Sequence, residues 1–218
     1  MEIRRRATFG KTAHNRKLVI GLTGGVCSGK STVAKIMGEL GAGVIESDDL
    51  GHQELAGREV KDVLCRWWGR DVLASDGSVD RQKVAAIVFA DPSQRHRLEA
   101  LLHPRIAVRR ADMITAMEKL PTIVAIVLDS PLLYESDLDL VCDAVVFVDS
   151  EQEIRKARSE NSNQWPKGEL ERREKSQQPL DIKRARADYV CENNSSTAAL
   201  RKQVESAFAQ IVSVADVP

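Results

Sequence analysis

Gly24-Gly25-Val26-Cys27-Ser28-Gly29-Lys30-Ser31 is the stretch on which the reading of this chain turns. These eight residues satisfy the pattern GxxxxGK[ST] in full. A short β-branched run, Leu18 to Leu22, precedes them, and apolar residues at Val33, Ile36, Met37 and Leu40 follow at helical spacing. The order strand, glycine loop, helix is therefore predicted, which is the context that gives the pattern meaning. Glycines allow backbone N–H groups to turn inward around a phosphate, and the following helix presents the positive end of its dipole to the anion. Lys30 supplies a cation for the β and γ oxygens, Ser31 a hydroxyl for a Mg²⁺ ion bridging them, and Thr32 a hydroxyl for the α-phosphate.

The elements on either side build an α/β fold around this loop. Gly41 stops the first helix, and Gly43 to Ile45 reads as a strand that delivers Glu46, Asp48 and Asp49 to its C-terminal end, where open α/β sheets bind ligands. The continuous apolar runs Ile123 to Leu128 and Ala144 to Val148 are expected as central parallel strands, and Asp188 to Cys191 as a last short one. Residues 58–120 are helical by period, with a turn at Asp76-Gly77 and restarts after Pro92 and Pro104. The last of these helices aligns Ile106, Met113, Met117 and Leu120 for core packing. Residues 151–185 are dense in charge with few apolar anchors, and the final helix carries Leu200, Val204, Phe208 and Ile211 on one face. The expected fold is a P-loop NTPase-like three-layer α/β fold with a central parallel sheet. Its core covers about 18–57, 121–150 and 186–218, with a helical insertion over 58–120, a lid over 151–185 and a loose basic tail over 1–17.

Composition narrows the function classes. The 32 basic residues balance 32 acidic ones, so no global field draws the chain onto nucleic acid, and any anion must be bound by a local site. No apolar run approaches a membrane span. The four cysteines (Cys27, Cys65, Cys142, Cys191) and four histidines show no ligand spacing, which points to reduced thiols in a cytoplasm and no structural metal. Cys27 stands next to a helix N-terminus and Lys30, two influences that favour a thiolate; because the backbone makes the phosphate contacts, a small, tolerated loop residue is the favoured reading.

A phosphate loop alone does not separate kinases from GTPases, motors or regulatory modules. The Asn-Lys-x-Asp guanine motif is absent, and the chain is too short for a motor's further domains. Beyond Gly21 to Thr32, the chain carries Gly41, Ile45, Asp48 and His52, then Gly69 and Asp76-Gly77-Ser78-Val79-Asp80-Arg81. Val88-Phe89, Leu98-Glu99, His103-Pro104, Pro131-Leu132-Leu133-Tyr134-Glu135 and Ala187-Asp188-Tyr189-Val190 with Asn193 follow in order. In that order and spacing the sequence resembles the dephospho-CoA kinases over most of its length. The resemblance implies a nucleotide core, a helical CoA-side domain and a lid. It also implies ATP with Mg²⁺ phosphorylating the ribose 3′-hydroxyl of dephospho-CoA, by a monomer or weak homo-oligomer that binds neither nucleic acid nor membrane.

Carried onto this chain, the resemblance puts Gly24 to Thr32 and Asn193 on the ATP side. It puts Arg81 and His103 on the dephospho-CoA side, against a plain helix start beside Asp80 and a satisfied, partly buried imidazole, and Arg155 as the lid arginine, with Arg158, Arg172 and Arg173 as further candidates and a solvated helix face as their competing reading. Asp48 reads as the base that accepts the hydroxyl proton, since a carboxylate ending the second strand suits that task; an exposed helix cap is the competing reading. Asp129 is expected either to hold a Mg²⁺-bound water or to cap a helix before Pro131. The family's usual Asp-Ala-Asp is Glu46-Ser47-Asp48 here, the lid is shortened, and Asn163 stands where arginine is common. Another small P-loop kinase, or a non-catalytic ATP-binding module, is the alternative.

Overall fold

The computed structural model describes residues 16–161, 168–175 and 177–213. Most of the expected basic tail, and Asn163 of the lid, lie outside the described residues. Two compact units are present, one made of the chain up to Ile45 together with the chain from Ala116, the other of Glu46–Thr115.

The first unit holds a five-stranded sheet in the order β2-β3-β1-β4-β5. Its strands are β1 (Leu18–Gly24), β2 (Ala42–Glu46), β3 (Ala125–Asp129), β4 (Ala144–Asp149) and β5 (Tyr189–Glu192). β1 pairs in parallel with β3 and β4, and β4 with β5. Period-2 alternation sorts the side chains to two faces. Ile20, Leu22, Ala125, Val127, Ala144, Val146 and Val148 meet α1 (Lys30–Glu39) and a C-terminal helix, Thr197–Ser213, in one buried cluster. Val145 packs on the other face with Leu133, Tyr134 and Leu138. Gly21 also points there, and a Cβ on it would stand 2.8 Å from Leu133 Cδ2 and 2.9 Å from Cys142 Sγ, so the close layer packing requires glycine. The C-terminal helix buries Leu200, Val204, Phe208 and Ile211, as its spacing predicts. Arg16 and Lys17 are not loose: Arg16 Nη1 donates to Asp143 Oδ2 at 2.9 Å and Lys17 Nζ to Met117 O at 3.0 Å.

The second unit is helical: α2 (Ser47–Ala56), α3 (Arg58–Trp68), α4 (Arg81–Ala90) and most of α5 (Pro92–Glu118). Val60, Leu64, Val72 and Val84 form its core, with Trp67, Trp68 and Leu98 packed against them. The Asp76-Gly77 turn is present: Gly77 has φ 79° and the flanking Leu73 and Val79 form an antiparallel bridge. The expected restart at Pro104 is not, because α5 runs through it. Proline cannot donate to the carbonyl of Ala100, but both residues are exposed, so water can satisfy that carbonyl. The expected apolar face of this helix is also corrected at Leu120, which lies beyond its end and is 49% exposed.

The charged segment forms three helices, α6 (Gln152–Asn161), α7 (Glu169–Lys175) and α8 (Leu180–Arg186), which makes the C-terminal helix α9. Buried pairing helps to anchor it, beside the buried apolar Leu170 of α7. Lys183 is fully buried while its neighbour Ile182 is 46% exposed, the reverse of what polarity predicts. Lys183 Nζ donates to Pro131 O (2.8 Å) and Gln177 Oε1 (3.1 Å) and pairs with Glu135 Oε1 (2.7 Å), which satisfies all three of its protons.

Candidate active site

The loop at the C-terminal end of β1 is shaped by two glycines. Gly24 has φ 154°, and a Cβ there would fall 2.4 Å from Val148 O. Gly29 has φ 96°, and a Cβ there would fall 2.2 Å from Asn193 Nδ2. Neither position accepts a side chain without moving its neighbour. Cys27, between them, adopts φ 58°, a conformation uncommon for a non-glycine residue. Ser28 N donates to Gly25 O at 3.2 Å, closing the loop on itself. The Ser28 hydroxyl is buried and finds no hydrogen-bond partner among the described residues. Lys30 Nζ reaches back to Gly25 O (3.0 Å) and Gly24 O (3.3 Å), so its ammonium spans the loop that it is expected to serve. Ser31 is exposed in the first turn of α1, next to Thr32.

Helices α6 and α7 add cations. Arg155 on α6 is only 5% exposed; its Nε donates to Ser150 O at 3.0 Å, and its guanidinium pairs with Glu174 of α7. It lies against the loop, since a Cβ on Gly25 would come within 3.0 Å of Arg155 Nη1. Burial lowers the Arg155 pKa, and the charge of Asp149 works against that. Arg158, one turn on, donates through Nη1 to Cys27 O (3.3 Å), Ser28 O (3.2 Å) and Ser150 Oγ (3.3 Å), and through Nη2 to Asn193 O (3.0 Å). Asn193 is buried just past β5 and donates from Nδ2 to Ser28 O at 2.8 Å, while its backbone N–H bonds Asp149 O at 2.7 Å. Lys30, Arg155, Arg173 and Arg158 all act on the Cys27 thiol and favour its ionised form, but burial outweighs them and pushes the thiol up. That balance favours a small, tolerated loop residue at Cys27 over a thiolate, while four cations act on the loop around it.

The remaining sequence-predicted residues fall as follows. Asp129 ends β3 in register with Leu22 of β1, two residues before the loop, and no helix starts at Ser130 or Pro131, so the capping alternative lapses. Asp48 is an exposed residue of the first turn of α2, whose N-cap is Glu46, so Asp48 is not the cap either. Among the described residues the Asp48 carboxylate makes no hydrogen bond or ion pair. Arg81 opens α4 behind the N-cap Asp80, and its Nη2 meets His52 Nε2 at 2.7 Å. A guanidinium only donates, so His52 Nε2 accepts and its Nδ1 carries the proton, 3.9 Å from Asp49 Oδ1. His103 is exposed on α5, with no hydrogen bond or ion pair among the described residues. Sequence reasoning missed the fourfold bonding of Arg158 and the Lys183–Glu135 pair. The only available signal for the latter was an acid closing the otherwise apolar Pro131-Leu132-Leu133-Tyr134-Glu135.

A family model described as dephospho-CoA kinase matches residues 18–199. The chain belongs to the dephospho-CoA kinase family. A dephospho-CoA kinase of Symbiobacterium thermophilum is 42% identical over 196 residues, covering 87% of this chain and 80% of that one. One of Bacillus licheniformis is 38% identical over 184 residues, covering 82% and 89%. Among solved structures, a Thermus thermophilus protein superposes with a TM-score of 0.76 at 29% identity, covering 89% of this chain and 98% of its own. A Campylobacter jejuni dephospho-CoA kinase, at 22% identity, shares the fold with a TM-score of 0.61 and covers 88% and 96%. The family match spans the glycine loop, Asp48, Arg81, His103, α6 to α8 and Asn193 alike.

Proposed function

We propose that this chain transfers the γ-phosphoryl group of ATP to the ribose 3′-hydroxyl of dephospho-CoA, giving CoA and ADP, the last step of coenzyme A synthesis. Family membership across residues 18–199 carries this reading. The four cations facing the Cys27 loop supply the electrostatics that a triphosphate needs.

In this reading Gly24 to Thr32 hold the phosphates, with Asn193 on the same side. Lys30 and Arg155 balance the charge that develops on the transferring oxygens, the planar fork of Arg155 suiting two of them at once. Asp48 accepts the proton of the 3′-hydroxyl. Arg81, oriented by His52, and His103 hold phosphate or ribose of dephospho-CoA. Ser31 and Asp129 offer a hydroxyl and a carboxylate, hard oxygen donors suited to Mg²⁺. When bound, Mg²⁺ neutralises charge on the β and γ oxygens. We place the enzyme in the cytoplasm as a monomer or weak homo-oligomer.

The test is a coupled ADP-release assay on purified protein with dephospho-CoA, adenosine, uridine and shikimate offered in parallel. Turnover is expected with dephospho-CoA alone. Faster turnover with another acceptor would make this a different kinase, and none with any would make it a binding module.

A further inference from the structure

The peptide between Ser28 and Gly29 is held from one side by two separate donors. Ser28 O accepts from Asn193 Nδ2 at 2.8 Å and from Arg158 Nη1 at 3.2 Å. A trans peptide is planar, with its N–H pointing opposite to its C=O, so fixing this carbonyl toward Arg158 and Asn193 turns the Gly29 N–H the other way. Asn193 Nδ2 stands 2.2 Å from where a Cβ on Gly29 would fall, so only glycine lets the amide reach this carbonyl undisturbed. Two donors on one carbonyl also polarise the amide and make its N–H a stronger donor. Arg158 braces the next peptide as well, through Cys27 O, and ties the assembly to Ser150 at the end of β4 and to Asn193 beyond β5.

We infer that Arg158 and Asn193 are positioning residues that aim and polarise the Ser28–Gly29 peptide for the β-phosphate of the nucleotide, and that neither contacts the transferring phosphoryl group. The hydrogen bonds of Arg158 go to the protein through both terminal nitrogens, three to backbone carbonyls and one to a hydroxyl. This separates it from Arg155, whose Nη1 lies on the Gly25 side of the same loop. The inference rests on the ATP-binding reading above and refines it, moving Asn193 from direct ligand contact to support of the loop.

The test is calorimetric titration of the full chain with MgATP, MgADP and AMP. A cradle for the β-phosphate serves ATP and ADP equally and does not serve AMP. Arg158→Ala should weaken MgATP and MgADP alike by about tenfold, the equivalent of one charge-assisted hydrogen bond of ~1.4 kcal/mol, with AMP unchanged within about twofold. Arg158→Lys should recover part of the loss, because an ammonium reaches one carbonyl but cannot fork across two. Asn193→Ala should show the same ATP-and-ADP pattern at about fivefold, for one neutral hydrogen bond of ~1 kcal/mol; it keeps the inference testable if Arg158→Ala does not fold. Loss for MgATP but not MgADP would place Arg158 on the γ-phosphate and overturn the inference. Equal loss for all three nucleotides, or no loss, would overturn it too. Wild-type protein that binds neither MgATP nor MgADP would instead sink the nucleotide reading itself.

Discussion

Replacing Lys183 by Met tests how the charged segment is held. Lys183 is fully buried and Glu135 about one-fifth exposed, so removing the ammonium leaves a largely buried carboxylate with only the Gln178 N–H (2.7 Å) beside it and leaves Pro131 O and Gln177 without their shared donor. Breaking a buried pair from one side costs about 3–5 kcal/mol. The partial exposure of Glu135 argues for the lower end, about 3 kcal/mol. At this chain length each kcal/mol moves Tm by about 2–4 °C, so differential scanning calorimetry should find Lys183→Met melting about 6–12 °C below wild type. Removing both charges, as Lys183→Met with Glu135→Leu, should restore most of that loss, because a packed apolar pair avoids the desolvation cost.

The same residue has a pH signature. Burial lowers the Lys183 pKa below its ordinary 10.5, with Glu135 opposing the shift. Between that folded value and 10.5 the unfolded chain binds more protons than the folded one, so stability contributed by this site rises with pH there and the rise is absent from Lys183→Met. A single-mutant loss below about 1 kcal/mol, or a double mutant no more stable than the single, would refute the view that pairing anchors this segment.

Three further outcomes are expected. Asp48→Asn should keep nucleotide affinity and lower kcat by roughly 10² to 10⁴, the worth of a positioned base; a drop in Tm with kcat intact would assign Asp48 a structural role. Arg155→Ala should cost more kcat than Arg173→Ala at saturating ATP, and equal small losses in steady-state kinetics would remove Arg155 from the reaction. Gly29→Ala meets Asn193 Nδ2 and a left-handed φ together, so urea denaturation should show a loss of about 2–4 kcal/mol, of which Gly29→Ala with Asn193→Ala recovers the clash but not the roughly 1–2 kcal/mol of backbone strain; strict additivity of the two would mean they do not touch.

The strands were readable because each is a short apolar run beside a glycine or turn signal: Leu18 to Leu22 became β1 and Ala144 to Val148 became β4, each extended by only one or two residues. The cradle was readable because its function is written in backbone conformation, and glycine marks such positions directly. Arg158 was not, since its role is set by the carbonyls of Cys27, Ser28 and Asn193, which no side-chain pattern announces. Lys183 beside Ile182 failed for a related reason: polarity assigns lysine to solvent, and only the acceptors brought from Pro131, Glu135 and Gln177 reverse it. Pro104 failed because a missing donor matters little where the carbonyl it leaves faces water. At Cys27 the sequence shows the cations that favour a thiolate but not the burial that opposes them.

The second unit departs from the first once, after Ile45, and rejoins it once, at Ala116. One uninterrupted stretch of the gene therefore encodes it, while the strands that carry the glycine loop and the helices that brace it come from the segments on either side. Ancestral exchange of that stretch would have needed only two junctions, one at the end of β2 and one within the last turn of α5, and would have left the donor-side machinery untouched. A lineage built this way can inherit one means of spending a triphosphate and acquire new acceptors piecemeal, and laboratory chimaeras joined at those same two points are the direct way to repeat the exchange.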